Sequence, residues 1–327
     1  MEPEFAARRQ IGMTTLPTDR YGLVRRQAAL SAGYSDARLS AAIAHGDLIR
    51  LIPGVCVPPS DEFDGHEGAQ RLHRLRAIAV QTSALRHEGD VLPLTHSSAA
   101  AMLGLSLLHP DLRRVHVTTG RTAGGSIRTH RHIHAAPVGA EEIVLVDGIA
   151  VTRLERTAID VATTGNFCQA LCALDAALRM GADRSLMAGL LDDRRRRGAG
   201  VARSALAFAD AASASVGESW SRGQMIEDGL PLPRLQHRFR GASGKVYLTD
   251  FDWAELLIGE FDGLQKYGRL HRPGESAADA VVREKIREDD LRTTGAVIVR
   301  WTWSVLERRA LVVTLNPWLR RFGLRAS

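Results

Sequence analysis

The stretch that decides the fold of the C-terminal third is Tyr247-Leu-Thr-Asp-Phe-Asp-Trp-Ala-Glu-Leu-Leu-Ile-Gly-Glu-Phe-Asp-Gly263. It predicts two apolar strands joined by a tight turn at Ala254 and Glu255, which together form a β-hairpin. Asp250 lies in the first strand, whereas Glu260 and Asp262 lie two residues apart in the second and therefore point to one face. Acidic residues oppose local β-propensity. Three of them in one apolar hairpin predict a cluster of oxygen ligands for a hard cation, Mg²⁺ or Mn²⁺.

Lysine is scarce in this chain, and its placement is uneven. Only three of the 43 Lys and Arg residues are lysine, and all three lie in the last third, around the hairpin: Lys245, Lys266 and Lys285. A compact ammonium group is not interchangeable with a planar guanidinium. We therefore expect Lys266 or Lys285 to lie beside the acids and to stabilise an attacking hydroxide or the charge that develops on phosphorus. The alternative is that the three lysines fall there by chance.

The residues around the hairpin predict a small α/β unit over residues 213–327. The pattern indicates a helix at 215–229, strands on both sides of the hairpin turn, a helix at 277–294, a strand at 296–303 and a last helix from Pro317. The first helix carries Glu218, which we place at the same site as Asp250 and Glu260. A metal held by these carboxylates would polarise a phosphodiester and generate hydroxide, with Asp262 completing the ligand set.

Residues 21–58 predict a compact unit of two helices and a small hairpin, after an irregular segment 1–20. The second helix, 37–45, has Ser35 or Asp36 as its cap and Gly46 at its end. This order is typical of a winged helix-turn-helix, whose second helix enters the major groove of DNA. The candidate DNA contacts are Arg25, Arg26, Arg38, Ser40, His45 and, on the wing, Arg50. The alternative is a helical pair that only packs against the rest of the chain.

Residues 59–212 predict a mixed α/β region that follows a linker rich in proline and acid. Its most unusual segment is Arg128-Thr-His-Arg-His-Ile-His134, in which His130, His132 and His134 would share one strand face. Three histidines suggest a metal, but no cysteine or acid is near them in the sequence. Zinc sites rarely use three histidines of one strand alone. We therefore expect a solvated or phosphate-facing basic strand.

Composition limits the class of protein. A length of 327 residues predicts two or three domains, and the three cysteines (Cys56, Cys168, Cys172) form no even disulfide framework. No stretch approaches about 18 apolar residues, and no signal peptide is evident, so we expect a cytoplasmic protein without a membrane partner. The net charge of +6 favours an anionic partner, with double-stranded DNA first. A homodimer remains open.

The C-terminal motifs resemble a known superfamily. The Glu218-Ser-Trp-Ser-Arg222 helix, Thr249–Trp253, Gly259–Gly263 and Arg300–Trp303 resemble the PD-(D/E)XK, restriction-endonuclease-like superfamily, and in particular its DUF559, very-short-patch-repair-like branch. The resemblance covers about residues 213–310 and implies a metal-dependent nuclease fold. Asp262 stands where the motif of the superfamily has lysine, which leaves that role to Lys266 or Lys285 and leaves the activity open.

The N-terminal motifs resemble a second family. Gly22-Leu-Val-Arg25 and Leu48-Ile-Arg-Leu-Ile-Pro-Gly-Val55 are similar to the winged-helix domain of AbiEi-type antitoxins, with a weaker extension to Leu154-Glu-Arg-Thr157. These antitoxins pair with nucleotidyltransferase toxins in abortive-infection, type IV toxin–antitoxin systems. The resemblance implies operator binding, autoregulation and a toxin partner. Actinobacterial chains that join this domain to a DUF559-like domain look like the whole of this sequence.

Three functions compete at this point. The first is a DNA-binding antitoxin and transcriptional autoregulator whose nuclease-like domain is inactive or regulatory. The second is an active metal-dependent DNA endonuclease targeted by its winged helix. The third is a protein-interaction protein in which the acidic hairpin is a solvated edge, but this explains poorly why Asp250 and Glu260 lie among Leu, Phe and Ile. We predict the first, with the endonuclease as the alternative.

Overall fold

The computed structural model describes residues 16–83, 92–192, 197–263 and 277–325. Over these residues the chain is mixed α/β, as its sequence predicts, and combines helices with four small β-sheets. None of the helices described has both the length and the hydropathy that crossing a membrane requires.

The N-terminal unit contains two helices and a three-stranded sheet. Its elements are β1 (Val24–Arg25), α1 (Arg26–Ser31), α2 (Asp36–His45), β2 (Ile49–Ile52) and β3 (Val55–Val57). β3 lies between β1 and β2 and is antiparallel to both. The predicted order of helix, helix and hairpin is confirmed. The helical pattern of Val24–Ala32 predicts a longer first helix than α1, because Val24 and Arg25 form a strand that pairs with β3.

The ends of α2 follow the predicted capping chemistry. The Ser35 side chain accepts a hydrogen bond from the Arg38 backbone N–H, and Gly46 ends the helix in the left-handed region at φ 81°. Leu51 and Ile52 of the hairpin belong to the same buried cluster as Ile78 of the following helix. The hairpin is therefore fixed against the centre of the molecule.

The central unit is the largest part of the chain. Its elements are α3 (Gly65–Thr82), α4 (His96–Leu103), β4 (Val115–Gly120), β5 (Ser126–Ile127), β6 (Arg131–Pro137), β7 (Ile143–Val146), β8 (Ile149–Thr152), α5 (Leu154–Ala162), α6 (Phe167–Arg179), α7 (Arg184–Asp192) and α8 (Ala199–Phe208). β4 runs parallel to β6, β5 is antiparallel to β6, and β7 and β8 form a hairpin. Leu94 forms bridges to both Val117 and Val151 and so links the two sheets. α6 is the central helix, with Leu171 and Leu174 completely buried.

The C-terminal unit has the predicted order of helix, three strands, helix and strand. Its elements are α9 (Val216–Glu227), β9 (Arg234–Arg240), β10 (Val246–Trp253), β11 (Leu257–Asp262), α10 (Ala277–Arg292), β12 (Val297–Thr302), α11 (Trp303–Glu307) and α12 (Leu311–Arg321). The strand order is β12-β11-β10-β9, and only β11 and β12 run parallel. The hairpin turn is confirmed, since Ala254 and Glu255 have φ values of 54° and 60°, typical of a type I′ turn. α12 begins at Leu311, before the predicted start at Pro317.

Helices cover both faces of the C-terminal sheet. On one face, Phe251 and Trp301 pack with Trp220 of α9 in a cluster that includes α12. On the other, Ile258 packs with Leu291 of α10. Cys168 and Cys172 of α6 belong to the first cluster, so the C-terminal and central units share a continuous core.

Candidate functional site

The acidic side chains predicted for a metal site divide into two groups. Glu218 is 3% exposed and accepts hydrogen bonds from the Ala214 N–H and the Ser215 hydroxyl, both at 2.8 Å. Its other neighbour is Gln236, whose Nε2 lies 3.1 Å from Glu218 and 3.4 Å from Asp250. Asp250 also accepts from the Phe261 N–H at 3.0 Å. The structure thus brings Glu218 and Asp250 together around Gln236, a residue that sequence reasoning did not single out.

Glu260 lies in a different environment, between two arginines. Arg287 of α10 donates to its Oε1, and Arg300 of β12 donates to its Oε2 at 3.0 Å. Burial alone would lower the pKa of the Arg287 guanidinium, but Glu260 and Glu284 outweigh burial and raise it. Guanidinium groups therefore bind both oxygens of the Glu260 carboxylate. The sequence predicts these oxygens as metal ligands.

Of the two lysines predicted beside the acids, Lys285 is exposed on α10, and the basic side chains that bind Glu260 are arginines. Lys266 lies outside the described residues. Asp262 is half-buried at the end of β11. Another acid, Asp252, is completely buried and receives a hydrogen bond from Arg234 Nε at 2.8 Å. Within the described ranges, the carboxylates of Asp250, Glu260 and Asp262 do not form a compact group of metal ligands.

The six residues predicted to contact DNA fall into two groups: two form ion pairs within the N-terminal unit, and four are exposed polar side chains on α2 and β2. Arg25 pairs with Asp19 at 2.8 Å and donates to Thr82 at 2.6 Å, so it anchors the N-terminal unit on α3 and does not face outward. Arg26 pairs with Asp36 at the start of α2. The remaining four are exposed: Arg38, Ser40, His45 and Arg50.

The exposed face of α2 has a simple arrangement. Helical periodicity places Ala37, Ala41 and Ala44 at its centre. Arg38 and His45 lie on one flank and Ser40 on the other. Small side chains at the centre with polar ones beside them leave the helix able to approach another surface closely.

A compact group of titratable side chains lies in the central unit and consists of His96, His116, His132 and His134. His96 stands at the start of α4, His116 on β4, and the other two on β6. The His134 ring stacks between His96 and His132, with ring centroids 3.9 Å away on each side. His116 Nδ1 lies 2.9 Å from His134 Nε2. One ring nitrogen from each of His96, His116 and His134 lies within 4.8 Å of the other two.

The surroundings of these four histidines lower their pKa values, mainly because burial disfavours the charged imidazole. Burial lowers the pKa of His96, His116 and His134 to about 3 in each case, and the neighbouring imidazoles add to the effect. Of the three histidines predicted to share one strand face, His132 and His134 lie half-buried on β6 beside His116, whereas His130 is exposed and precedes β6. Sequence reasoning missed His96 and His116, which only the pairing of β4 with β6 and the packing of α4 bring to this place.

A buried charge network supports the histidine cluster. Thr95 donates its hydroxyl hydrogen to Asp160 at 2.8 Å, and His96 Nδ1 lies 3.2 Å from the Thr95 oxygen. Because the only Thr95 hydroxyl hydrogen is already donated, His96 Nδ1 must be the donor to Thr95. Arg156, completely buried, binds Asp160 at 2.9 Å and Glu142 at 2.8 Å. Burial alone would lower the pKa of Arg156, but the two carboxylates raise it.

The cluster borders a cavity of about 320 Å³. Besides the four histidines, its walls include Asp111, Thr164 and Gln169. The histidine side chains are therefore accessible to a small ligand from one side, while the charge network holds them from the other.

Comparison with known proteins gives this region a family. Residues 92–208 match the AbiEi antitoxin C-terminal domain. Over 267 residues the chain is 36% identical to uncharacterised proteins from two strains of Mycobacterium tuberculosis, which covers 80% of this chain and 88% of each relative. The chain belongs to the family of these mycobacterial proteins. Its central part carries the AbiEi antitoxin C-terminal domain, called the AbiEi domain below.

The family match confirms the AbiEi part of the predicted resemblance and places it in the central unit. The sequence motifs that carried this resemblance lie mainly at residues 21–58, whereas the match spans α4 to α8. Only the weaker extension at Leu154-Glu-Arg-Thr157 falls inside it. That segment contributes Arg156, so the motif contains the central cation of the buried network.

Proposed function

We propose that this protein is the antitoxin of a two-gene toxin–antitoxin system and represses its own promoter. The match of residues 92–208 to the AbiEi antitoxin C-terminal domain carries the proposal. The AbiEi domain would neutralise a nucleotidyltransferase-type toxin, and the N-terminal unit would bind double-stranded DNA. The net charge of +6 supports an anionic partner.

The proposed DNA interface is the exposed face of α2 together with the wing. The alanines at the centre of α2 allow the helix backbone to approach the floor of the major groove, and Arg38, Ser40 and His45 lie beside them. Arg50, on β2, would contact a phosphate. Arg25 acts indirectly in this proposal, because its bonds to Asp19 and Thr82 fix the orientation of the unit.

The first test measures DNA binding. We expect the protein to bind a duplex from its own upstream region with an affinity that falls as salt rises. The double variant Arg38→Ala, Arg50→Ala should bind DNA more weakly than the wild type. The slope of log K against log salt should also become shallower, by about 1 for each phosphate contact that is lost. Fluorescence anisotropy at several salt concentrations measures both quantities. Arg308→Ala, also exposed but in the C-terminal unit, is the matched control. Binding that does not respond to salt contradicts the proposal.

The antitoxin role requires a separate test. Co-expression with a neighbouring nucleotidyltransferase gene should restore growth that the toxin alone arrests. A variant with α2 substitutions should still restore growth but lose repression of the promoter, because the two roles are assigned to different units. Loss of both by the same surface variant would argue against this division.

We further propose that the C-terminal unit does not hydrolyse DNA. The support for this is the position of Glu260, whose carboxylate is held by Arg287 and Arg300. We expect no cleavage of plasmid DNA with Mg²⁺ or Mn²⁺, and no difference between the wild type and Asp250→Ala. Gel analysis of supercoiled plasmid tests this. Manganese-dependent cleavage that disappears in Asp250→Ala would instead favour the endonuclease, with Glu218, Asp250 and Gln236 as its centre.

A further inference from the structure

We propose that His96, His116 and His134 form a binding site for a divalent transition metal of the zinc class, with one coordination position open to the adjoining cavity. The inference does not depend on the antitoxin role. It is also distinct from the Mg²⁺ site predicted at the hairpin, because imidazole nitrogens suit zinc, cobalt and nickel, whereas magnesium prefers oxygen.

The positions of the three rings carry the proposal. Three histidines with a fourth position left to water or a ligand are a common arrangement of zinc. With Zn–N bonds of about 2.0–2.1 Å, the ring centroids of two histidine ligands lie roughly 5 Å apart. His96 and His116 are 5.7 Å apart, and His116 and His134 are 5.1 Å apart, which is close to this requirement.

One pair of rings has to move. His96 and His134 are stacked at 3.9 Å, so metal binding requires these two rings to separate by about 1 Å. The cavity of about 320 Å³ beside them provides the space.

Hydrogen bonds determine which ring nitrogens of the three histidines carry a hydrogen and which can bind a metal. Since His96 Nδ1 donates to Thr95, its Nε2 carries no hydrogen. Thr95 is held by Asp160, and Asp160 by Arg156, so the His96 ring has the outer support that is typical of metal-bound histidines. His116 Nδ1 and His134 Nε2, 2.9 Å apart, share one hydrogen, which a metal would replace.

The cavity beside the rings is lined by further polar side chains as well as by imidazoles. The cavity wall adds Asp111, Thr164 and Gln169, whose polar groups can bind a water or ligand at the open position.

The test is a titration of the full chain, stripped with a chelator, with Zn²⁺ alone. Calorimetry should give one site per chain, and His116→Gln and His134→Ala should each weaken it by at least about 10-fold. His130→Ala, exposed on the same segment, is the matched control and should bind as the wild type does. Circular dichroism in the absence of metal establishes that the variants are folded.

Cobalt gives a second readout that needs no variant. Co²⁺ bound to three histidines and one further ligand shows the intense visible absorption of a tetrahedral site, whereas Co²⁺ bound at surface carboxylates is octahedral and pale. We expect the intense spectrum, and we expect Zn²⁺ to remove it. No zinc binding by the wild type, or a pale cobalt spectrum with equal zinc titrations of the wild type and His116→Gln, overturns the proposal.

Discussion

Replacing Arg156 by alanine is expected to lower the free energy of unfolding of the AbiEi domain by about 3–5 kcal/mol. The guanidinium is completely buried and binds Asp160 and Glu142, which are 3% and 7% exposed. Without it, two carboxylates remain in a low-dielectric interior with no cation between them. The loss of a buried partner costs more than the pair contributes, because the remaining charge has no solvent to stabilise it.

Chemical denaturation followed by circular dichroism measures this loss. Arg156→Lys should be intermediate, since it keeps the charge but cannot bind both carboxylates through a planar fork. Arg113→Ala, in the same domain and paired with Asp111, is the matched control, because both side chains are exposed (79% and 47%) and the expected cost is about 0–1 kcal/mol. A loss in Arg156→Ala no larger than that of Arg113→Ala would show that Asp160 and Glu142 find other partners.

The parts of the fold that follow from local chemistry could be predicted from the sequence. Ser35 caps α2 and Gly46 ends it, because both act within one helical turn. The hairpin turn at Ala254 and Glu255 follows from the two apolar runs that flank it. The first helix was predicted too long because the pairing of Val24 and Arg25 with β3 is a contact between distant residues, and periodicity does not show it.

The site residues were harder to predict for the same reason. Glu260 has the sequence context of a metal ligand, and only the packing of α10 and β12 shows that Arg287 and Arg300 hold its carboxylate. The segment with His130, His132 and His134 led us to expect a basic strand and no metal, because His96 and His116 lie far from it along the sequence. The isolated histidine in Val115-His-Val117 was a clue, since a polar residue inside an apolar strand needs a buried partner.

The second large effect is expected at the contact between the AbiEi domain and the C-terminal unit. Asp175 of α6 is completely buried and receives two hydrogen bonds from Arg222 of α9, at 2.7 and 2.8 Å. Its Oδ1 also accepts from the Asp210 N–H at 2.7 Å. Burial raises the pKa of Asp175 although Arg222 opposes that shift, which indicates how fully solvent is excluded.

We expect Asp175→Ala to destabilise the protein by about 3–5 kcal/mol, because it leaves the Arg222 guanidinium, 7% exposed, without its carboxylate. If that unpaired charge is the cause, Asp175→Leu combined with Arg222→Met should recover most of the loss. Arg309→Ala is the control, because it removes a salt bridge to Glu227 in which the arginine side chain is 53% exposed. Its expected cost in the free energy of unfolding is about 0–1 kcal/mol.

Limited proteolysis gives the readout specific to this contact. In Asp175→Ala the C-terminal unit should be cleaved from the AbiEi domain faster than either is degraded, because α6 and α9 lose the charge pair that joins them while most of each buried cluster lies on one side of the contact. Uniform degradation of the whole chain would mean that the two units unfold together and that the shared core around Cys168 and Cys172, not the ion pair, holds them. The Arg309→Ala control should retain the wild-type cleavage pattern under both outcomes, which ties the change to the buried pair.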